Sequence, residues 1–181
     1  MQYGVLTGKI LEILALGFVL SITRDKKRRI QLHRECDRIW YTIDRKNLSQ
    51  ALKRLRLNKF LAFEKQNDGK EKVCLTLAGK MRALRYQFNN LIIKRPQRWD
   101  KKWRIVLFDI PEEKRKIRDA LRKKLKNLGF LEFQKSVFIF PYPCSNEINF
   151  VINFFDIHNY VYYLEAPISS DFDFREYFKL N

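Results

Sequence analysis

The segment from Trp103 to Phe140 constrains the fold of this 181-residue chain more than any other part of the sequence. It begins with an apolar run, Ile105 to Phe108, which ends abruptly at Asp109 and is followed by Pro111. Proline suits the first turn of a helix, because the N–H group that it lacks would be unpaired there anyway. This order predicts a strand that leads directly into a helix.

The predicted helix covers residues 112–128. Its apolar residues recur at helical spacing: Ile117, Leu121, Leu125 and Leu128. Gly129 is a stop signal, and a second apolar, aromatic-rich run, Leu131 to Phe140, follows it. This run has the composition of a β-strand and contains no obvious tight turn. The segment therefore predicts a strand, a helix and a strand in that order.

The Phe-Asp-Ile-Pro turn at 108–111, the Lys- and Arg-rich helix and the strand Gln134 to Phe138 resemble two related families. One consists of the small CRISPR-associated spacer-acquisition proteins that are second of their series. The other, which is more similar, is the middle domain of the phenylacetate-responsive PaaX repressors. The resemblance covers Trp103 to Glu165. It implies a ferredoxin-like fold and a homodimer.

Under this resemblance, the aromatic-rich run is divided between two pairing strands. Ser145 can then cap a further helix, because a serine side chain can accept a hydrogen bond from a first-turn N–H. This helix would contain Ile148, Val151, Ile152 and Phe155. Tyr160 to Leu164 returns as the last strand, which completes the strand-helix-strand-strand-helix-strand order of the ferredoxin-like fold.

Charge separates the two halves of the chain. Residues 1–102 contain 25 Lys and Arg against 9 Asp and Glu, a net charge of +16, whereas residues 103–181 contain 12 against 11, a net charge of +1. Phosphate neutralisation is the main sequence-independent source of affinity for nucleic acids. A basic domain beside a nearly neutral one therefore suggests a polyanion-binding module joined to an assembly module. The alternative is a basic surface that is merely solvated.

Cysteine and histidine usage argues against a disulfide framework or a zinc site. Cys36, Cys74 and Cys144 are far apart and odd in number, which favours a reducing cytoplasm. The sequence contains only two histidines, His33 and His158, which argues against a histidine-based metal site or catalytic triad.

The apolar run Ile10 to Ile22 is shorter than the roughly 20 residues that a bilayer requires, and it contains Glu12. It also lacks a basic leader and a small-residue cleavage site, so neither a membrane span nor a signal peptide is predicted. We expect a buried helix. Its nearly complete apolarity suggests that both sides are covered, for example by a partner subunit.

A helix with two distinct faces is predicted between Asp44 and Asn58, and Asp44 is a suitable N-cap. One face is an apolar stripe at helical spacing, formed by Leu48, Ala51, Leu52 and Leu55. The other face is rich in side chains that bind bases and phosphates. We therefore expect one face to pack on the core and the other to meet a ligand.

Two strand-like runs follow this helix, Phe60 to Lys65 and Lys70 to Leu77. The Asp-Gly pair at 68–69 between them signals a hairpin, because glycine supplies positive φ. A helix followed by a charged hairpin is the arrangement of a winged helix, and Val73 to Lys80 resembles the strand-to-helix exit of many bacterial winged helix-turn-helix domains. The predicted fold class is therefore α+β, with an N-terminal winged helix-turn-helix domain followed by a ferredoxin-like domain.

The predicted DNA contacts fall into two groups. A helix can lie in the major groove, where Asn and Gln pair with adenine and Arg or Lys with guanine. The predicted base-reading residues are Asn47, Gln50 and Arg54. The predicted phosphate-binding residues are Lys46, Lys53, Lys65, Lys70 and Lys72. For each of them the alternative role is a solubilising surface group.

The expected domain boundaries are 1–90 for the winged helix-turn-helix domain, 91–102 for the linker, 103–165 for the ferredoxin-like dimerisation domain and 166–181 for a C-terminal tail. Charges are dense before Trp103, as in a linker. Trp99 and Trp103 either fix the relative orientation of the domains or close the second core, and the second role is favoured.

Asp109 is the one candidate catalytic and metal-binding residue. In the CRISPR-associated family, the aspartate that ends the first strand is assigned to metal-dependent nuclease activity and faces its copy across the dimer axis. Two such carboxylates could hold Mg²⁺, which takes one or two protein oxygens and completes its shell with phosphate and water. The favoured alternative is that Asp109 accepts backbone N–H groups at the helix start.

The leading hypothesis is a cytoplasmic, dimeric PaaX-like repressor that binds double-stranded DNA without a cofactor. The main alternative is a Mg²⁺-dependent nuclease, or a subunit of a spacer-integrating complex, that acts through Asp109. A third is a protein-interaction module whose basic face meets an acidic partner. Residues 166–181 are too few for a separate ligand-binding module, so acyl-CoA sensing is not expected and any effector is unknown.

Overall fold

The computed structural model describes residues 4–22, 24–66, 69 and 71–180. Helices and strands are mixed, and the chain divides into two compact units, Met1–Asn89 and Asn90–Asn181.

The first unit consists of four helices and a hairpin. In chain order these are α1 (Val5–Ile22), α2 (Lys26–Tyr41), α3 (Leu48–Leu57), β1 (Leu61–Lys65), β2 (Glu71–Leu75) and α4 (Leu77–Asn89). The strands β1 and β2 pair antiparallel, with Leu61 opposite Leu75 and Lys65 opposite Glu71. The core residues come from α1, α3, α4, β1 and the turn before α3: Ile10, Leu11, Ile43, Ala51, Leu55, Leu61 and Ala83.

The helix α1 is only partly covered by its own unit. Its first half is buried at Ile10 and Leu11, where it contacts the rest of the unit. Further along, Gly17 and Val19 are exposed. The expectation that both sides are covered therefore does not hold for the second half of α1 within one chain.

The start of α3 follows the prediction, with one local difference. The Asp44 carboxylate accepts hydrogen bonds from the Lys46 backbone N–H (3.0 Å) and from the Asn47 side-chain amide (2.9 Å). A short 3-10 turn, Arg45–Asn47, stands between this cap and α3. The predicted apolar stripe points inward, because Ala51 and Leu55 are buried.

The hairpin is joined to α4 by a close backbone contact. Gly69 has a φ of +79° in the hairpin turn, as the Asp-Gly signal requires of its second residue, while Asp68 lies outside the described residues. At Gly79 in α4, an added Cβ would lie 2.1 Å from the Phe60 carbonyl oxygen. Only glycine therefore fits at Gly79 without a shift of the backbone.

The second unit contains a four-stranded antiparallel sheet with strand order β4-β5-β3-β6. Its elements are β3 (Trp103–Phe108), α5 (Arg115–Asn127), β4 (Leu131–Gln134), β5 (Val137–Phe140), α6 (Ser145–Phe155), β6 (Val161–Ala166) and α7 (Phe172–Phe178). The order from β3 to β6 and this sheet are compatible with a ferredoxin-like fold.

The two faces of this sheet differ in burial. Along β3, Arg104, Val106 and Phe108 are buried on one face, whereas the other face bears the half-buried Ile105 and Leu107 together with Trp103, which α7 covers. The helices lie on the buried face: the Tyr163 hydroxyl, opposite Val106, is 4.0 Å from the Cys144 Sγ atom just before α6. On the same face, Arg122 and Lys126 of α5 form ion pairs of 2.5 Å with Glu132 of β4.

The local details of the second unit both follow and refine the expectation. The aromatic-rich run is divided between two pairing strands, as the resemblance implied, and the tight turn lies at Lys135 and Ser136, where no Gly, Pro, Asn or Asp marks it. Ser145 is the first residue of α6 and not its cap; the cap is Cys144, which makes no side-chain capping bond. Pro111 precedes a 3-10 turn, Glu112–Lys114, and α5 begins only at Arg115.

The C-terminal residues pack against the second unit. The Trp103 indole N–H donates a 2.9 Å hydrogen bond to the Asp171 carboxylate. The Trp103 ring is fully buried, with the ring centroids of Phe174 and Phe178 of α7 5.5 and 5.8 Å away. Trp103 thus closes the core of the second unit, as the sequence favoured.

Candidate nucleic-acid interface

The outward face of α3 brings together the polar residues predicted to meet DNA. Gln50, Lys53 and Arg54 are all exposed. They lie on one side of the helix because residues three and four apart are neighbours on a helix surface. The buried Ala51 and Leu55 hold the opposite side against the core. The arrangement presents one amide and two cations to solvent on a well-anchored helix.

Asn47 has a role that the sequence did not reveal. Its side-chain nitrogen donates to the Asp44 carboxylate, so this amide group is part of the cap of the 3-10 turn. The side-chain oxygen and the second amide N–H are then the groups with which Asn47 can meet a base edge. Lys46, beside it, is exposed.

The hairpin carries less positive charge than its lysines suggest. Lys65 and Lys72 are exposed, but Glu64 lies directly opposite Lys72 and Glu71 opposite Lys65. The exposed Glu64 and Lys72 carry opposite charges at facing positions, which attract each other and reduce the field available to phosphate. Lys70 lies outside the described residues.

Two further arginines border α3 and were missing from the predicted contacts. The Arg45 guanidinium lies 5.9 Å from the centre of the Trp40 ring, and that of Arg56 lies 4.7 Å from the centre of the Phe63 ring. An aromatic face attracts a cation electrostatically, so these rings hold the two guanidinium groups in place. Arg56 and Phe63 are seven residues apart, and only the return of the chain in β1 brings them together.

The helix α2 adds exposed cations to the same unit. They are Lys26, Lys27, Arg29, Arg34 and Arg38. The helix α2 has a net charge of +4 and α3 one of +3, so the two helices contribute +7 of the +16 charge of residues 1–102.

Asp109 is exposed at the end of β3. Its backbone N–H donates to the Tyr160 carbonyl oxygen (2.9 Å). Its side chain forms no hydrogen bond in the described part of the chain, so the expected capping role is not seen. The same region contains no group of three or more His, Cys, Asp or Glu residues that could hold a metal ion.

A buried arginine fixes the segment just before β3. The Arg104 guanidinium donates two hydrogen bonds to the Asp100 carboxylate (2.6 and 2.5 Å) and one each to the carbonyl oxygens of Lys102 and Pro141. The hydrogen bond from Arg104 lowers the pKa of Asp100, and the same bond raises the pKa of Arg104. Asp100 and Lys102, which the sequence assigned to the linker, are thus bound to the second sheet.

No described helix combines the length and apolarity that a bilayer crossing requires.

Residues 96–176 match the family model for the central Cas2-like domain of the PaaX protein. This chain carries a PaaX-type, Cas2-like domain. The match includes all four strands of the second sheet, the helices α5 and α6 and most of α7, as the resemblance at Phe108–Pro111 and Gln134–Phe138 predicted. No curated protein matches the chain.

Proposed function

We propose that this chain is a DNA-binding transcriptional regulator, a PaaX-like repressor that binds duplex DNA as a dimer. The observation that carries the proposal is the exposed face of α3, where Gln50, Lys53 and Arg54 stand on a helix whose other side is buried. A helix of this kind fits the major groove, where amide and guanidinium groups distinguish base pairs.

The first unit supports a winged helix-turn-helix assignment for residues 1–90. Its helices α2 and α3 are followed directly by an antiparallel hairpin, the order of a helix-turn-helix with a wing. In this proposal Asn47, Gln50 and Arg54 contact bases. Lys46, Lys53, Lys65, Lys70 and Lys72 hold phosphates and set the register of the protein on the duplex.

The second unit supports the dimer. One face of its sheet is covered by α5 and α6, and the other bears large apolar side chains, including Tyr162 (61% exposed) and Leu164 (49% exposed) on β6. Residues 103–181 carry a net charge of only +1, so two copies can approach without strong repulsion. We place the dimer contact on the part of this face that α7 leaves exposed, at Tyr162 and Leu164.

No cofactor is required for DNA binding in this mechanism, and the proposed location is the cytoplasm. Two copies would present their α3 helices to half-sites one or two helical turns apart, roughly 34 Å each. A small-molecule effector is not assigned.

Selection of bound sequences from random duplex DNA by the full-length protein tests the proposal. We expect one enriched, pseudo-palindromic motif. If about six phosphates are neutralised per dimer, the logarithm of affinity falls with the logarithm of salt concentration at a slope near −5. Binding that shows no enriched motif and no salt dependence would refute a sequence-specific regulator.

A matched pair of variants locates the contact. Lys53→Ala removes an exposed helical lysine of α3, and Lys123→Ala removes one of α5 in the second unit. We expect Lys53→Ala to weaken binding to all sequences and to reduce the salt slope by about 2, because one phosphate contact is lost in each of the two protomers. Lys123→Ala should leave both unchanged.

The exposed carboxylate of Asp109 favours one alternative, a Mg²⁺-dependent nuclease in which two copies of Asp109 share the metal. Incubation of the protein with Mg²⁺ and single- or double-stranded DNA or RNA tests it, with Asp109→Asn as the control. Cleavage that the variant loses would establish the enzyme. Sequence-selective retention without cleavage would favour the regulator.

A further inference from the structure

A groove beside α3 contains side chains that the proposed DNA contact does not use. It lies between α3 and β1 and has a volume of about 410 Å³. Its floor is apolar, formed by Leu48, Leu52 and Phe63, which are partly buried against the core of the first unit. Its rim is cationic, formed by the exposed Arg45, Lys53 and Arg56. We call this the α3 groove.

The α3 groove is separate from the base-reading side of the helix. Leu48, Leu52 and Arg56 follow one another at intervals of four and form one row along α3. Gln50 and Arg54 form a second row, which lies on nearly the opposite side because each residue turns the helix by about 100°. Lys53 lies between the rows, so it belongs to both surfaces.

The chemistry of the α3 groove differs from that of a phosphate-binding surface. A DNA backbone would use the three cations and leave the apolar floor without a partner. The Arg56 guanidinium, 4.7 Å from the centre of the Phe63 ring, joins one cation directly to the floor. A ligand that uses the whole groove must therefore carry anionic groups beside apolar ones.

The shape of the α3 groove favours a protein segment over a small molecule. The groove is open to solvent along α3. Small-molecule sites usually enclose most of their ligand, which an open groove cannot do. An amphipathic helix, in contrast, lays apolar residues spaced three or four apart into such a groove and keeps its other side in water.

We propose that the α3 groove binds an acidic amphipathic helix of a protein partner, and that this partner displaces DNA from α3. Its apolar residues contact Leu52 and Phe63, and its carboxylates pair with Arg45 and Arg56. The displacement rests on the proposed function, because the partner and DNA compete for Lys53. The binding of the helix itself does not depend on it.

A fluorescent synthetic peptide serves as the probe. It is a helix-forming 14-residue peptide with leucines at intervals of three and four on one side and glutamates flanking them. The control peptide has the same composition, but its leucines are distributed around the helix. Fluorescence anisotropy with the full-length protein measures the affinity of each peptide without DNA. Unlabelled duplex DNA is then added as a competitor.

We expect the amphipathic peptide to bind at least about tenfold more tightly than the control, because only its leucines reach the apolar floor together. Arg56→Glu should weaken its binding by about tenfold or more, because like charges then face each other. Arg45→Glu, at the other end of α3, is a second variant in case Arg56→Glu disturbs folding. Arg54→Glu, on the base-reading row, should leave peptide affinity within about twofold while weakening DNA binding.

Equal affinity for the two peptides, or equal losses in Arg54→Glu and Arg56→Glu, would reduce the interaction to unspecific charge attraction and overturn the proposal. Loss of DNA affinity in Arg56→Glu as large as that in Arg54→Glu would assign the groove to the DNA footprint and also overturn it. If the peptide binds as expected but no duplex does, the groove stands and the proposed function fails. If duplex DNA binds and the peptide does not, only the groove assignment fails.

Discussion

Arg104 is 2% exposed, yet it remains charged because the surrounding chain supplies its partners. Two hydrogen bonds go to Asp100, and two go to backbone carbonyl oxygens. Its Nε atom lies 3.7 Å from the Glu165 carboxylate and has no hydrogen bond in the described structure. Removal of one partner of such a buried group leaves the other poorly solvated, which destabilises the fold.

Acid should therefore destabilise the second unit. Hydrogen bonds lower the pKa of Asp100 through Arg104, and that of Asp171 through Trp103. The unfolded chain takes up protons at the ordinary aspartate pKa of 3.8, before the folded state does. The stabilisation is fully present above that pKa and is lost as the pH falls toward the lower folded values. We expect the urea midpoint of unfolding, followed by tryptophan fluorescence, to decrease from pH 5 to pH 3.

Asp100→Asn provides the control for this prediction. Its side chain is 43% exposed, so solvent screens part of the Arg104 interaction and only part of the pH dependence should disappear. A midpoint that stays constant from pH 5 to pH 3 in the unaltered protein would contradict the assignment.

Single residues also show which contacts could be predicted from the sequence and which could not. Asp44 could be predicted as a cap because its hydrogen bonds are local, and the structure confirms it. Trp103 and Asp171 are 68 positions apart, so no periodicity or spacing connects them. The use of Asn47 in the cap was hidden for another reason: asparagine suits a helix start and a base edge equally well.

At the scale of elements, periodic helices were predictable and short turns were not. The apolar spacing of α3 and α5 predicted their buried sides correctly. In an amphipathic helix the stripe of apolar residues visible in the sequence is the same surface that packs on the core. The division of residues 131–140 into β4 and β5 could not be located, because the turn at Lys135 and Ser136 contains no residue that specifies a turn type. In the first unit, the path of β1 beside α3 formed a groove that the sequence did not indicate.

Two glycine-to-alanine changes in helices should have opposite effects on stability. At Gly79, a Cβ would lie 2.1 Å from the Phe60 carbonyl oxygen, so Gly79→Ala forces α4 away from β1 and should cost about 2–3 kcal/mol. At Gly17 in α1, an added Cβ has no atom within 4 Å, so Gly17→Ala should stabilise by about 0.5–1 kcal/mol through the backbone entropy of glycine.

Urea unfolding of the full-length protein, monitored by far-ultraviolet circular dichroism, measures both changes. A neutral or stabilising effect of Gly79→Ala would show that α4 does not approach β1 as closely as described. A destabilising effect of Gly17→Ala would show that this side of α1 is covered by another surface.

At the scale of the whole molecule, the first unit carries most of the net charge. Residues 1–89 contain 20 Lys and Arg against 8 Asp and Glu (+12), whereas residues 90–181 contain 17 against 12 (+5), of which residues 103–181 contribute only +1. The sheet of the second unit exposes apolar groups on one face. From the charge of the first unit and the exposed apolar face of the second, we proposed that the first unit contacts DNA and the second forms the dimer. Composition alone could suggest this division, but only the strand register identifies the exposed face.

A charge placed on that face should separate the proposed dimer. Tyr162 and Leu164 are neighbours on one side of β6, opposite Leu107 and Ile105. We expect Tyr162→Glu to produce a monomer, as measured by light scattering during size-exclusion chromatography. The affinity for a two-half-site duplex should then decrease by about a hundredfold, because the second contact is no longer intramolecular.

The matched control is Asn153→Glu, which places the same charge at an exposed position of α6, the helix on the other face. It should leave the molar mass and the DNA affinity unchanged. A Tyr162→Glu protein that remains dimeric would place the dimer contact elsewhere.

Cys144 gives this protein an internal chemical sensor of unfolding. The thiol is buried beside Tyr163, and its desolvation raises its pKa to about 12, so alkylating reagents that attack thiolates will not modify it while the second unit is folded. Cys36 and Cys74, both in the first unit, are only half-buried. Pulsed alkylation followed by mass spectrometry can therefore report the opening of the second unit through Cys144, with the more accessible Cys36 and Cys74 as internal references and without a substitution.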